Sequence, residues 1–248
     1  MLSFTSARAP PDNTDTVHVH RVATKIEGRL VGASLLCFCM DPTHSCIYFL
    51  LGKERHNARW PAGSGRWSDF GGAVVEEDDD SPEVTAAREF MEETLSVVKY
   101  FEHDVLPRTT YMDIAQDLRN NNHTMRVTQG DKHRRFVMFV KQIPWDPEVV
   151  HRFSEYRNVL TRPSRVGPPT VNTENHPAID ASKCVKRTFL EKKMLSLWSV
   201  PQLRHAVDYK GVMIARNGYA EHCRDSFRES LKIVLDELGF IIPGILEE

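Results

Sequence analysis

Between Gly71 and Ser96 the chain reads GGAVVEEDDDSPEVTAAREFMEETLS, and three of its carboxylates are spaced for chemistry. Ser81 followed by Pro82 supplies an N-cap acceptor and a proline at the first helical position, so a helix is predicted to begin there. At about 100° per residue, Glu89, Glu92 and Glu93 share one face of that helix, while Val84, Ala87 and Met91 form an apolar stripe on the other. Like charges at this spacing repel by roughly 0.2–0.5 kcal/mol per pair, so an isolated helix gains nothing from them. A divalent cation reverses the sign, because Mg²⁺ and Mn²⁺ take hard oxygen ligands from a rigid face together with water and phosphate oxygens. A solvated acidic helix face is the other reading of the spacing alone.

The order of residues resembles the Nudix hydrolase signature, GX5EX7REUXEEXGU with U apolar. Gly72, Asp80, Arg88, Glu89, Phe90, Glu92 and Glu93 carry the match, and Trp67-Ser68-Asp69-Phe70-Gly71-Gly72 leads into it as in that family. The departures are equally specific. Two extra residues separate Gly72 from the acidic position, Asp80 stands for Glu, and Leu95 and Ser96 stand where Gly and an apolar residue are expected.

The resemblance implies a Nudix-type α/β/α sandwich with a mixed sheet, here with an inserted helical and loop segment and a C-terminal helix. It implies a pyrophosphohydrolase in which water attacks phosphorus within the diphosphate linkage of a nucleoside diphosphate derivative. By carry-over, Glu92 and Glu93 are the first ligands for Mg²⁺ or Mn²⁺, Glu89 is a ligand or the water-activating base, and the Gly72 carbonyl completes the shell. Arg88 orients the carboxylates through a forked ion pair. A further acid outside the signature is expected at Glu191, whose alternative is a salt bridge to Lys192 or Lys186. Two other functions stay open: a decapping enzyme on capped RNA, using Lys132-His133-Arg134-Arg135 and the basic stretch from Lys183 to Lys193, and a Nudix-like binding module without catalysis. The expected partner is a small nucleotide-derived substrate, with an RNA cap as the alternative and neither DNA nor a membrane.

Around this stretch the chain must supply a sheet. Ala33–Met40 and Ile47–Lys53 are apolar runs separated by the turn formers Asp41-Pro42-Thr43-His44, the pattern of a buried hairpin. Val17–Val22 and Leu95–Phe101 read as short strands, and Thr109–Asn120 as a helix through Tyr111, Ile114 and Leu118. A second hairpin flanks Gln129-Gly130-Asp131. Pro147–Leu160 is amphipathic and begins an insertion at about 146–185, Arg162–Ala178 is a Pro-rich loop, Lys193–Val200 is a strand leading into a short helix, and Ala220–Leu238 is a C-terminal helix. The loop Asn57–Arg66, with Trp60, is expected beside the substrate entrance. Residues 1–15 read as a mobile tail and 16–248 as a single domain.

With 34 acids against 32 Lys and Arg the net charge is −2, but nine acids and one base fall within residues 76–93, leaving 25 acids and 31 bases elsewhere. A locally acidic site on a mildly basic body suits a metal-dependent enzyme of polyanions. There is no apolar run long enough to span a membrane and no secretory h-region, so an intracellular location is expected. The five cysteines show no CxxC pair. Cys37 and Cys39 fit one apolar strand face as core residues, with metal or redox chemistry as the alternative.

Overall fold

The computed structural model describes residues 28–57, 63–102, 109–161 and 190–241. The first tail, the Val17–Val22 strand, Trp60 and the Pro-rich loop lie outside the described residues. Apolar runs rich in Leu, Cys and aromatic residues make the strands β1 (Arg29–Met40) and β2 (Ile47–Glu54), paired antiparallel as Cys37↔Leu50 and Met40↔Ile47. The stretch leading into the signature forms two short strands, β3 (Trp67–Ser68) on β2 and β4 (Phe70–Ala73) on β1, with Asp69 between them. Then come α1 (Pro82–Glu93), α2 (Tyr111–Arg119), the hairpin β5 (Met125–Gly130) and β6 (Arg134–Gln142), and α3 (Val149–Thr161). After the undescribed loop follow β7 (Lys192–Ser199), α4 (Val200–Asp208), the small hairpin β8 (Val212–Ile214) and β9 (Ala220–His222), and α5 (Asp225–Ile241).

The seven-stranded sheet is mixed, with order β3-β2-β1-β6-β5; β4 also pairs with β1 and β7 with β2, and only β1 and β6 run parallel. One face is covered by α1, α2 and α3 through Phe70, Phe90, Ile114 and Phe153. The other is covered by α4 and α5 through Phe49, Trp198, Leu203 and Leu231. Alternation along β1 sends Leu35, Cys37 and Cys39 to the first face and Leu36 and Phe38 to the second, so both faces of the central strand are buried. The two cysteines are core residues, and burial first of all raises their thiols, Cys39 to about 12, so neither is a thiolate at neutral pH. Among the described residues, no helix is long and apolar enough to cross a membrane.

Two predicted elements differ. Leu95–Phe101 is not a strand: Leu95 and Ser96 have φ of 55° each, left-handed backbone that ends α1 and turns the chain into a buried loop of apolar side chains. The C-terminal helix begins at Asp225, because Ala220–His222 pairs with Val212–Ile214.

Candidate active site on the first helix

The start of α1 is as its sequence requires, with Pro82 at the first position and the Ser81 hydroxyl accepting from Val84 N–H at 3.3 Å. Its inner stripe is anchored by Phe90, fully buried and edge-on to Phe70 at 5.6 Å. That contact fixes the rotation of the helix, and the REFMEE segment then faces the turn at Gly71-Gly72.

Asp78, not Asp80, is the acid that Arg88 grips. Its carboxylate accepts Arg88 Nε and Nη2, both at 2.9 Å, together with Val75 N–H at 3.1 Å and the Thr85 hydroxyl at 2.9 Å. Burial alone would raise this carboxyl; the Arg88 fork and the other two donors outweigh it and hold Asp78 below the usual aspartate range. Counting forward, Asp78 is the residue that GX5E selects after Gly72. The two extra residues are therefore Asp79 and Asp80, which carry φ of 53° and 52° and reverse the chain between a 3-10 turn and α1. Aspartate tolerates that left-handed conformation better than most residues.

Arg88 also donates Nη1 to Glu89 Oε1 at 2.9 Å and stands 3.5 Å from Glu92 Oε2. One guanidinium thus ties the buried Asp78 to the two half-buried carboxylates of the helix face. Burial is the main reason that Glu89 titrates above the ordinary glutamate range, with Arg88 opposing it.

Gly72 has a different part from the one expected. It pairs with Ala33 in the β1–β4 ladder, and the Val74 N–H bond to Val31 O puts residues 72 and 74 on the same bonded edge. The backbone of Gly71 and Ala73 alternates to the other edge, where Gly71 N–H reaches Glu93 Oε2 at 2.9 Å and Ala73 O accepts Arg88 Nη2 at 3.2 Å. What Gly72 supplies is space: a Cβ there would lie 2.3 Å from Glu89 Oε1. Any side chain at 72 would displace the Glu89 carboxylate.

Glu93 turns inward and is only 2% exposed. Its Oε1 lies 3.3 Å from Lys192 Nζ, which also donates to Glu54 Oε1 at 2.6 Å and to Ser68 Oγ at 2.8 Å. Arg224 Nη1 approaches Glu54 at 3.5 Å, and Asp69 is buried beside this network. Burial lowers the Lys192 ammonium, but Glu93 and Glu54 raise it by more, so it stays charged. Glu191 precedes Lys192 on the exposed side, its main chain fixed by Arg55 N–H at 2.7 Å. Desolvation first, then Glu89 and Glu54, raise its carboxyl. The expected Lys192 partner of Glu191 spends its ammonium on Glu54 and Glu93 instead.

The donor set suits a hard divalent cation, since carboxylate oxygens outnumber the three cations Arg88, Lys192 and Arg224 and the Gly72 cradle fits a carboxylate. Among the described residues, however, no three His, Cys, Asp or Glu side chains already converge on one point. A hollow of about 620 Å³ is lined by Tyr48, Trp67, Trp145, Met194, Leu197 and Arg216. Trp67 adjoins Ser68, and Met194 follows Lys192 by two residues of β7, so the hollow runs along β2 and β7 toward the buried charges. Sequence reasoning missed Asp78, Glu54 and Lys192. A forward count from Gly72 finds the first, and a glutamate closing the apolar run of β2 is the one signal for the second.

Solved structures similar to this chain include a mutT/nudix family protein from Listeria innocua, 15% identical, covering 85% of this chain and 94% of that one with a TM-score of 0.39. The NUDIX domain of Shewanella oneidensis NrtR, complexed with ADP ribose, is 11% identical, with coverages of 85% and 88% and a TM-score of 0.38. A C. elegans Ap4A hydrolase is 12% identical, with coverages of 83% and 97% and a TM-score of 0.35. Such distant likenesses carry no argument about substrate. No protein of curated function matches the sequence. The sequence profile of the NUDIX domain matches residues 30–180, which run from β1 through α1 and the Arg88 fork to α3, and the chain belongs to that family.

Proposed function

We propose that this protein is a metal-dependent pyrophosphohydrolase that cleaves the diphosphate linkage of a small nucleoside diphosphate derivative. The observation that carries the reading is the Arg88 guanidinium, which joins Asp78 to Glu89 and Glu92 and so presents two carboxylates from one rigid helix face beside the glycine turn. Glu89 and Glu92 would hold Mg²⁺ or Mn²⁺, with Glu93 behind them. The bound ion would draw charge from the phosphate oxygens and lower the pKa of the attacking water. Water adds to phosphorus, the bridging P–O bond breaks, and the leaving phosphate departs with that electron pair.

The residues of this chain do the rest. An oxygen of Glu89 that the ion leaves free would accept the proton of the attacking water. Arg88 holds both carboxylates at a fixed spacing, and Glu191 adds a further acid facing the same face. The test is a panel of nucleotide sugars, dinucleoside polyphosphates, dinucleotides and capped RNA, each with Mg²⁺ and with Mn²⁺. The expected result is metal-dependent release of a nucleoside phosphate from a small substrate, lost in Glu92→Gln. Release of a methylated guanosine diphosphate from capped RNA, faster than any small substrate and abolished by replacing Arg134 and Arg135 with Ala, would overturn the small-substrate assignment. No turnover of anything in the panel would overturn the enzyme.

A further inference from the structure

Lys192 is the least expected member of the site. Its side chain is 0% exposed, yet it sits at the start of an edge strand where a lysine could reach solvent by turning outward. Its stem fills the place of the missing Gly52 side chain, where a Cβ would lie 2.7 Å from Lys192 Cδ. Its head lies 6.0 Å from the Phe70 ring centre. This packing holds the ammonium beside Glu93.

Both oxygens of Glu93 are thereby engaged, Oε2 by Gly71 N–H and Oε1 by the ammonium. Two other buried acids, Glu54 and Asp69, border the same pocket of charge, which explains why a cation is needed there at all. A positive charge held 3.3 Å from a carboxylate oxygen repels a second cation from the same oxygen. The inward turn of Glu93 is also the reason that the three carboxylates of one helix face do not meet at one point.

We propose that the Lys192 ammonium is a resident cation of the site, a positioning residue that neutralises Glu93 from within and confines the divalent ion to the outer carboxylates Glu89 and Glu92. The proposal rests on the reading of those two residues as metal ligands. It makes the protein a one-ion site in which the chain itself provides the inner positive charge.

The experiment is Mn²⁺ binding to the full chain, counted by electron paramagnetic resonance and by calorimetry. The wild type should bind one Mn²⁺, and Glu92→Gln should lose it. Lys192→Ala removes the charge and opens space as far as Gly52, so it should bind a second Mn²⁺ or hold the first at least tenfold more tightly. Equal number and affinity in Lys192→Ala and wild type would overturn the proposal while leaving the metal ligands in place. Undiminished Mn²⁺ binding in Glu92→Gln would overturn both. If Lys192→Ala does not fold in chelator, recovery of its fold by added Mg²⁺ is the supporting result. Without recovery, the double variant Glu54→Gln with Lys192→Ala answers the question, and absence of any gain in Mn²⁺ binding there overturns the proposal.

Discussion

Glu92 and Glu93 are consecutive residues of one helix, yet their carboxylates work in different media. Glu93 is buried against Lys192, whose ammonium also donates to Glu54 and Ser68 and whose stem and head pack on Gly52 and Phe70. Glu92 shares the Arg88 guanidinium with Glu89 at the water's edge. A buried pair costs several kcal/mol when one partner is removed, because the other charge stays behind without water, whereas an exposed pair is worth little. The inner half of the cluster should therefore govern whether the protein folds, and the outer half whether it acts.

The sharpest way to break that contrast is Lys192→Ala in the metal-free protein. It should lower the unfolding free energy by about 3–5 kcal/mol in a urea titration, since Glu93 and Glu54 lose their shared counter-charge. A loss below about 1 kcal/mol would mean that the pocket is wetter than its burial implies. Next in size is Glu92→Gln, for which turnover of the best substrate should fall by roughly 10²-fold or more, the scale of removing one preorganised charged contact. Its stability should change by no more than about 0.5 kcal/mol. Near-normal turnover would transfer the chemistry to other residues.

A third prediction concerns Asp78, which belongs to both halves in that it is buried but serves the outer carboxylates through Arg88. Its pKa is depressed in the folded state, so the stability it contributes is present above its ordinary value of 3.8 and is lost as the pH falls through the lower folded value. Asp78→Asn should cost about 2 kcal/mol at neutral pH, the worth of a hydrogen-bonded charged group, and the gap to wild type should narrow steadily below pH 3.8. A gap that stays constant down to strongly acid pH would show that the contribution is packing and not the charge.

The helix, its cap and its three carboxylates were legible because helical spacing and a Ser-Pro start are local signals, and the strands because their apolar runs are bounded by turn formers. Distance in sequence hid the rest. Lys192 looks like a surface lysine among Lys186, Glu191 and Lys193, and only the register Glu54↔Lys192 on β7 turns it inward. Glu191, just before that strand, stays exposed while Lys192 turns in, so the alternative salt bridge between them does not form. Asp78 was obscured by four other acids in one run, and only the geometry of the Arg88 fork distinguishes it. Gly72 reads as a carbonyl donor by family pattern, but pairing with Ala33 turns that edge toward β1.

The smallest effect tests the end of the same helix, where the Nudix signature expects Gly and then an apolar residue and this chain has Leu95 and then Ser96. Both carry φ of 55°, which costs an ordinary residue about 1–2 kcal/mol relative to glycine. Leu95 is 0% exposed and packs with the core under α1, so the strain is offset by burial of a large apolar side chain. Ser96 offers no such compensation: its hydroxyl reaches Met91 O at a long 3.4 Å, while its N–H closes the helix end onto the same carbonyl at 3.0 Å whatever its side chain. Ser96→Gly should accordingly raise stability by about 0.5 kcal/mol once the extra freedom of an unfolded glycine is subtracted. Leu95→Gly, the change that restores the family residue, should lower it by about 2 kcal/mol or more because the cavity outweighs the relief. Thermal melts of the two variants should move in opposite directions. A gain in Leu95→Gly would mean that the left-handed turn, and not the apolar contact, limits this helix end.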